Sequence, residues 1–245
     1  MTMQKLSVQA LSVVVPVRNE QDNVAPLIAE IHAALQNFTY EIVYVDDGST
    51  DQTYERLKQL QMQYLQLRIV RHAQSCGQST AVRTGVKAAK YDWVATLDGD
   101  GQNDPADIPK LIAAATQGIE LVGGNRRQSR KDTWVKRISS VVANTVRSKM
   151  LKDETPDTGC GLKLFLREAF LDLPYFDHMH RYLPALIKRR GGVVISVAVS
   201  HRNREFGKSN YGTLDRLRVG LVDLFGVSWL QRRAKIPKII PEINS

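Results

Sequence analysis

The sequence predicts an α/β fold, in which a mostly parallel sheet is covered by helices on both faces. Two observations support this prediction. Short apolar runs alternate with segments of helical periodicity through the first half of the chain, and acidic clusters follow some of these runs. Regular alternation of strands and helices favours parallel strands joined by helical crossovers. The 245 residues suffice for one such domain with an elaborated tail.

The predicted strands are short apolar runs, at residues 11–15, 41–45, 67–70, 93–97, 120–123 and 193–199. Between the first five, apolar residues at helical spacing predict four helices, at residues 24–35, 50–63, 78–89 and 104–116. Asp104 suits the N-cap of the fourth helix, and Pro105 suits its first turn. Beyond residue 124 we expect a basic segment that is helical over residues 134–150, and a polar loop at residues 200–212.

A last helix is predicted from Thr213 to about residue 230. Its apolar residues form a stripe that consists of Leu214, Leu217, Leu221, Leu224, Phe225 and Trp229, and basic residues follow at Arg232, Arg233, Lys235 and Lys238. An apolar stripe with a basic flank suits an amphipathic helix that lies on a membrane surface. Packing on the protein's own sheet, or in a homodimer, fits the pattern equally well.

Composition narrows the class of protein. With 43% hydrophobic and 24% charged residues, the chain is typical of a globular domain. No run reaches the roughly 18 apolar residues of a membrane-spanning helix, and residues 1–10 lack the apolar core of a secretory signal. Cys76 and Cys160 show no metal-ligand spacing, so free cytosolic thiols are the simplest interpretation.

Charge is unevenly distributed along the chain. Residues 1–122 carry 10 basic and 14 acidic side chains, whereas residues 123–245 carry 24 and 11. A basic half indicates an anionic partner, such as nucleic acid, a phospholipid surface or a phosphorylated substrate; a solvated basic face is the alternative. Nucleic-acid binding is disfavoured because the basic segments lack the interleaved aromatic residues on which bases stack.

The segment at residues 97–105 has the clearest chemical meaning. Asp98 and Asp100 follow an apolar strand, at the end of the sheet where open α/β folds bind ligands. Side chains two residues apart on an extended chain face the same way, so both carboxylates can meet one ion, and Gln102 continues the alternation. Such oxygen ligands favour Mg²⁺ or Mn²⁺. An EF-hand calcium loop is excluded because Asn103 and Pro109 occupy its Gly and Glu positions, whereas a solvated acidic turn remains the alternative.

Two more predicted strands end in polar clusters, Val15-Pro16-Val17-Arg18-Asn19-Glu20 and Asp46-Asp47-Gly48-Ser49-Thr50-Asp51. Carboxylates at neighbouring strand ends can accept hydrogen bonds from a base and a ribose while a metal holds the diphosphate, so the pattern predicts a nucleotide site. Asp51 also suits the start of a helix. Adjacent Asp46 and Asp47 are harder to explain structurally because buried charges are costly. The glycine patterns of nicotinamide and P-loop sites are absent from the sequence.

Six motifs, in order, resemble family 2 glycosyltransferases of the GT-A fold. Three are those above, Val-Pro-x-x-Asn-Glu, Asp-Asp-Gly-Ser-x-Asp and Asp-x-Asp-x-Gln. Residues 124–127 resemble the Gly-x-Arg that opens the acceptor loop, and residues 157–161 the Asp-x-x-x-Gly segment after it. Residues 204–209 resemble the Arg-x-x-Gly-x-Ser of polyprenyl-phosphate sugar synthases, such as dolichol-phosphate mannose synthase. Asn210 stands where many relatives carry Lys.

The resemblance implies a role for each matching residue. Nucleotide-sugar binding falls to Pro16, Glu20, Asp46, Asp47 and Asp98. Metal binding falls to Asp98, Asp100 and Gln102. Acceptor or phosphate binding falls to Arg126, Arg127, Arg204, Lys208 and Ser209, and the catalytic set is Asp100, Asp157 and Arg204. The implied domains are a GT-A domain at residues 1–212, with a nucleotide-binding half at 1–122 and an acceptor half at 123–212, and an amphipathic, basic tail at 213–245.

The resemblance further implies an inverting, Mg²⁺- or Mn²⁺-dependent transfer of a hexose from a GDP- or UDP-sugar to polyprenyl phosphate. The expected place is the cytoplasmic face of a membrane, where the protein is peripheral; a membrane-anchored partner and a homodimer are further expectations. A saccharide or another glycolipid is the alternative acceptor. A sugar hydroxyl needs a general base, for which Asp157 is the candidate, whereas a lipid phosphate is already anionic.

Overall fold

In the computed structural model, the described residues are 8–126, 147–204 and 213–237, with side chains of the last range described from residue 220. They form a seven-stranded sheet in the order β3-β2-β1-β4-β6-β5-β7. The strands are β1 Ala10–Val17, β2 Thr39–Asp46, β3 Leu67–Arg71, β4 Trp93–Thr96, β5 Ile119–Asn125, β6 Lys163–Leu166 and β7 Val193–Ala198.

Parallel pairing predominates in this sheet, as the sequence predicts. β1 pairs in parallel with β2 and β4, and β3 with β2. The strand β6, which the sequence does not predict, runs antiparallel between β4 and β5, so the sheet is mixed at its centre. β7 then pairs in parallel with β5 at the edge.

Helices cover both faces of the sheet, which confirms the predicted layers. The helices are α1 Val24–Ala34, α2 Thr53–Gln61, α3 Gln78–Ala88, α4 Ile108–Ala114, α5 Arg167–Leu171, α6 Leu183–Arg189 and α7 Thr213–Arg232. Val13 and Val15 of β1 pack in one apolar core with α1, α2 and α4. Val14, between them, packs in a second core with α3, α5, α6 and α7. Alternate β1 side chains thus pack into the cores on opposite faces of the sheet, which explains why the sequence of this strand is continuously apolar.

The predicted elements of the first half are present with small shifts of their ends. The Asp104 carboxylate accepts a hydrogen bond from the backbone N–H of Ala106 at 3.0 Å, so the predicted cap is confirmed, although the first turn, Pro105–Asp107, is a 3₁₀ turn. Of the predicted helix at residues 134–150, residues 147–150 are helical and residues 134–146 lie outside the described residues. The helices α5 and α6 were not predicted.

The apolar residues of α7 divide between two sides of the helix. Leu224 and Val227 are buried against the domain, whereas Leu221, Phe225 and Trp229 are exposed. The Tyr182 hydroxyl donates to the Gly220 carbonyl at 3.0 Å, which fixes the helix to the segment before α6. One side therefore packs on the protein's own core, and the other carries exposed apolar side chains. No helix within the described ranges has the length and apolarity needed to cross a bilayer.

Candidate active site

The carboxyl ends of β1, β2 and β4 meet at one edge of the sheet and bring the three polar clusters together. Val17 at the end of β1 pairs with Asp46 at the end of β2. The Asp47 backbone N–H donates to the Val17 carbonyl at 2.9 Å, and Leu97 N–H donates to the Val14 carbonyl at 3.2 Å. The predicted convergence of the clusters is therefore observed.

The first two clusters are joined by hydrogen bonds through Asn19. This residue has a left-handed backbone, with φ of 56°, which aims its side chain across the strand ends. Its Oδ1 accepts from the Thr50 backbone at 2.8 Å, and its own N–H donates to Ser49 Oγ at 3.0 Å. Next to it, Glu20 N–H donates to Thr53 Oγ1 at 2.9 Å. The two loops are therefore built as one unit.

Asp46 is fully buried, and only one of its oxygens accepts a hydrogen bond from the described residues. Oδ1 accepts from the Ser49 backbone at 2.9 Å. Oδ2 accepts no hydrogen bond from any described residue, although Arg71 Nε lies 3.1 Å away, out of line. Buried carboxylate oxygens normally accept hydrogen bonds, so Oδ2 is a candidate acceptor beside its ion pair with Arg71.

Asp47, the adjacent residue, is arranged differently because both of its oxygens are occupied. Oδ1 accepts from Cys76 N–H at 2.8 Å and lies 2.7 Å from His72 Nδ1. Oδ2 accepts from Ser75 Oγ at 2.7 Å and from Gly77 N–H at 2.9 Å. Burial alone would raise the pKa of Asp47, but these hydrogen bonds outweigh it and lower that pKa. Asp47 therefore holds the loop that precedes α3.

Asp98 and Asp100 lie close enough to interact through their charges. Burial raises the pKa of Asp98, and the charge of Asp100 raises it further, against the opposing effects of Lys163 and Arg126. Burial also raises the pKa of Glu20, and the negative charge of Asp100 raises that pKa further. Gln78 Nε2 donates to Asp98 Oδ1 at 2.8 Å. This group of acids, with its unfavourable mutual repulsion, suits a divalent cation.

The number of carboxylates indicates how such a cation would be held. Among the described residues, the potential ligand atoms of Asp47, His72 and Cys76 lie within 4.8 Å of one another. No such group of three His, Cys, Asp or Glu side chains is found around Asp98 and Asp100 in the same part of the chain. The Asp47 oxygens are already used by four protein donors. At Asp98 and Asp100, two carboxylates would leave room for substrate phosphates and water, as Mg²⁺ usually requires. The Gln102 backbone N–H donates to Asp100 Oδ1 at 3.2 Å and orders this loop.

Two glycines allow the loops to close around Asp98. A Cβ on Gly99 would overlap a methyl group of Val17, and a Cβ on Gly161 would overlap the Asp98 carboxylate. Gly161 belongs to the motif at residues 157–161, so this motif packs directly on the acid pair. A larger residue at either position would force a loop away from the strand ends.

Asp157 forms a bidentate ion pair with Arg126. Arg126 donates through Nε to Oδ2 at 2.8 Å and through Nη2 to Oδ1 at 3.0 Å, and its backbone N–H donates to Oδ2 at 3.1 Å. Burial raises the pKa of Asp157, but Arg126 outweighs burial and lowers the pKa overall. A carboxylate with both oxygens engaged and a lowered pKa is poorly suited to be a general base.

Arg204 contacts the first cluster from the opposite end of the chain. Its guanidinium donates to Glu20 Oε1, while Asn23 Nδ2 donates to Glu20 Oε2 at 2.6 Å. Nearby, Arg202 pairs with Glu30 at 2.7 Å and with Asp104 at 2.8 Å, and its backbone N–H donates to the Gln102 carbonyl at 3.0 Å. Residues 202–204 therefore lie along the acidic loop. The predicted phosphate-binding residues Arg127, Lys208 and Ser209 are outside the described residues.

Sequence reasoning missed one part of the site, a cavity of about 180 Å³ beside Asp98. Its polar lining includes Gln78, Lys163, His180 and Arg181, and Pro16 also lines it. Lys163 follows the 157–161 motif by two residues, so its place after that motif could have identified it. Gln78 and the pair at 180–181 belong to no motif, and only the folded chain brings them to Asp98.

The comparisons with known proteins agree with this geometry. The family model described as "Glycosyl transferase family 2" matches residues 12–173. A dodecaprenyl-phosphate galacturonate synthase from Rhizobium johnstonii is 35% identical over 231 residues, which cover 91% of this chain and 67% of that protein. An undecaprenyl-phosphate 4-deoxy-4-formamido-L-arabinose transferase from Edwardsiella ictaluri is 35% identical over 211 residues, which cover 85% and 65%. The chain thus spans about two thirds of the length of these curated relatives.

Solved structures share the fold. Glucosyl-3-phosphoglycerate synthase from Mycobacterium tuberculosis, in complex with Mn²⁺, UDP and phosphoglyceric acid, matches with a TM-score of 0.68 and 21% identity, covering 94% of this chain and 80% of that one. A mannosyltransferase from Pyrobaculum calidifontis, in complex with GDP-Man and Mn²⁺, matches with a TM-score of 0.68 and 22% identity, covering 93% and 65%. These likenesses confirm the predicted GT-A fold. With the family model and the 35% identical relatives, they show that the chain belongs to glycosyl transferase family 2.

Proposed function

We propose that this protein transfers a sugar from a nucleotide sugar to polyprenyl phosphate, with a divalent cation and with inversion at the anomeric carbon. The observation that supports this choice of acceptor is the Arg126–Asp157 ion pair, because it engages the side chain of the candidate general base. With Asp157 engaged in this way, an acceptor that arrives already ionised is favoured, as a phosphate is near neutral pH. The relatives that act on dodecaprenyl and undecaprenyl phosphate support the same choice.

The nucleoside would bind at the ends of β1 and β2. Asp46 Oδ2, buried and without a hydrogen bond from the described residues, would accept from the base or the ribose. Pro16 and Glu20 would border the same pocket. Asp47 would act indirectly, by shaping the pocket rather than by contacting the nucleotide, because its four protein hydrogen bonds hold the loop that precedes α3 in place.

Asp98, Asp100 and Gln102 would hold Mg²⁺ or Mn²⁺. When bound, the ion supplies Lewis-acid stabilisation of the charge that develops on the departing nucleoside diphosphate. Gln78 orients the Asp98 carboxylate through its 2.8 Å hydrogen bond. Gly161 lets the 157–161 loop close against the same carboxylate.

The acceptor phosphate would lie between Arg126 and Arg204, with Arg127, Lys208 and Ser209 completing the site. Arg126 is held by Asp157, and guanidinium groups bind phosphate oxygens in a planar, bidentate manner. A phosphate oxygen forms a bond to the anomeric carbon while the bond from that carbon to the diphosphate oxygen breaks. Attack from the opposite face inverts the configuration, and no proton needs to be removed.

The exposed side of α7 would lie on the membrane surface that contains the lipid acceptor. Leu221, Val222, Phe225 and Trp229 are each at least half exposed on this helix. Arg232, Arg233 and Lys235 follow, and each cation close to an anionic surface adds about 1 kcal/mol. We therefore propose peripheral binding at the cytoplasmic face, where anionic lipids attract basic segments.

A transfer assay with matched acceptors tests the proposal. The protein, Mg²⁺ or Mn²⁺ and a panel of labelled UDP- and GDP-sugars would be incubated with polyprenyl phosphate, with polyprenol of the same length, or with an oligosaccharide. We expect label in the lipid product with polyprenyl phosphate alone, and no transfer in EDTA or with Asp100→Ala. Equal transfer to polyprenol or to the oligosaccharide would show that an ionised acceptor is not required and would contradict the proposal.

A further inference from the structure

The cavity beside Asp98 has the size of one part of a nucleotide sugar. Its volume is about 180 Å³, whereas pockets that enclose a whole drug-sized ligand span roughly 300–1,000 Å³. Asp98 borders both the cavity and the proposed metal position. The diphosphate belongs at that metal, so the group that extends from the diphosphate into the cavity is the transferred sugar.

Lys163 brings a buried amine to this cavity. The residue is 4% exposed, and its ammonium donates to the Cys160 carbonyl. An ammonium group has three donors, and no second hydrogen bond of Lys163 is found among the described residues. Burial lowers the pKa of Lys163 because a buried ammonium with unpartnered donors is costly, so an anionic ligand would stabilise the charged form. The remaining donors therefore favour a ligand that brings strong acceptors.

The other groups around the cavity make its charge positive once a metal is bound. Arg181 adds a second cation. His180 is neutral because burial lowers its pKa well below its usual value, and its Nδ1 lies 2.7 Å from Ser79 Oγ. Asp98 is the single acid among the described lining residues, and it would be neutralised by the metal.

We infer that this cavity selects a donor sugar that bears a carboxylate, a hexuronic acid, with Lys163 as the specificity-determining residue and Arg181 in support. The inference rests on the proposed function, since it assigns the sugar of the same donor. A neutral hexose offers only hydroxyl groups to the buried ammonium, whereas a carboxylate forms charge-assisted hydrogen bonds, which are about twice as strong.

Paired donors that differ only at C6 test this inference. Binding of UDP-glucuronate against UDP-glucose, UDP-galacturonate against UDP-galactose, and GDP-mannuronate against GDP-mannose would be measured by calorimetry with Mn²⁺, beside UDP and GDP alone. For one pair we expect the wild-type protein to bind the uronate roughly 10- to 100-fold more tightly. The variants Lys163→Met and Arg181→Met should reduce this ratio, with Lys163→Met bringing it near one.

Lys188→Met is the matched control, because Lys188 pairs with Glu154 at the surface, away from the cavity. It should keep the wild-type ratio. If UDP or GDP binds but every uronate binds no more tightly than its neutral partner, the inference is wrong and the proposed function stands. If Lys163→Met fails to fold, the wild-type ratio and Arg181→Met still decide. If neither nucleotide binds, the proposed function fails and the inference fails with it.

Discussion

Arg126 donates to both carboxylate oxygens of Asp157, at 2.8 Å through Nε and at 3.0 Å through Nη2. The pair joins the residue that follows β5 to the loop that packs on Asp98. Because both side chains are largely buried, neither is free to exchange its partner for water at low cost. Asp157 thus acts as the anchor of Arg126, and the charge of Arg126 is held near the acid pair.

Asp157→Asn should lower the free energy of unfolding by about 3–5 kcal/mol, because it removes the carboxylate charge from a largely buried ion pair. Urea unfolding at pH 7 measures this change. Glu154→Gln is the control: Glu154 is largely exposed beside Lys188, and a surface pair is worth about 0–1 kcal/mol.

The stability difference between wild type and Asp157→Asn should depend on pH in a defined direction. The pKa of Asp157 is lowered in the folded protein, so its stabilising effect is complete above the unfolded value of about 3.9. It is lost as the pH falls through the lowered folded pKa. A difference that instead widened on acidification would contradict the role of Asp157 as an ionised anchor.

Asp46→Asn should mainly weaken nucleotide binding, whereas Asp47→Asn should mainly lower the stability of the fold. Asp46→Asn removes the charge of a candidate acceptor, so nucleotide affinity should fall roughly 10- to 100-fold. Loss of the ion pair with the partly exposed Arg71 should cost about 1 kcal/mol or less of stability. Asp47→Asn leaves loop donors unpaired, which should lower the free energy of unfolding by about 1–3 kcal/mol. Nucleotide titration and urea unfolding of both variants measure this contrast, and the reverse pattern would show that the roles are exchanged.

Gly161→Ala should weaken metal-dependent nucleotide binding, because the added Cβ overlaps the Asp98 carboxylate and lies 2.7 Å from Asn103 Oδ1. Overpacking of this kind costs about 1–3 kcal/mol. Gly226→Ala is a suitable control, because a Cβ there meets no atom within 4 Å among the described residues. Calorimetry with Mn²⁺ and nucleotide should show a loss in the first variant alone; equal affinities would mean that the loop adjusts.

Replacement of Phe225 and Trp229 by Ser should reduce sedimentation of the protein with vesicles that contain phosphatidylglycerol. Each side chain is more than half exposed, and its burial in a membrane would contribute about 1.5–3 kcal/mol, roughly tenfold or more in partitioning. Met62→Ser with Leu65→Ser removes comparable exposed apolar groups elsewhere and should leave sedimentation unchanged. Equal losses in both double variants would point to non-specific adsorption.

The sequence predicted the sheet layers and the convergence of the acidic clusters, because both follow from local periodicity and from parallel strand order. It did not predict β6, whose four residues are too few to show a pattern and whose antiparallel place depends on pairing with distant strands. The short helices α5 and α6 were missed for a similar reason.

The individual side-chain arrangements were less accessible to sequence reasoning. The difference between Asp46 and Asp47 depends on how residues 72–77 fold back on β2. The engagement of Asp157 depends on Arg126, 31 residues earlier in the chain. The role proposed for the buried Lys163 depends on its place beside Asp98 and Arg181, which other segments of the chain supply.

The central claim is that the acceptor is a lipid phosphate, and mass spectrometry of the lipid product tests it most directly. Polyprenyl phosphate would be incubated with the protein, Mn²⁺ and the donor that binds best, and the organic phase would then be analysed. The account predicts a species heavier by one sugar residue, with that sugar attached to the phosphate, and no such species with Asp100→Ala. Metal-dependent release of nucleoside diphosphate without any modified lipid phosphate would contradict it.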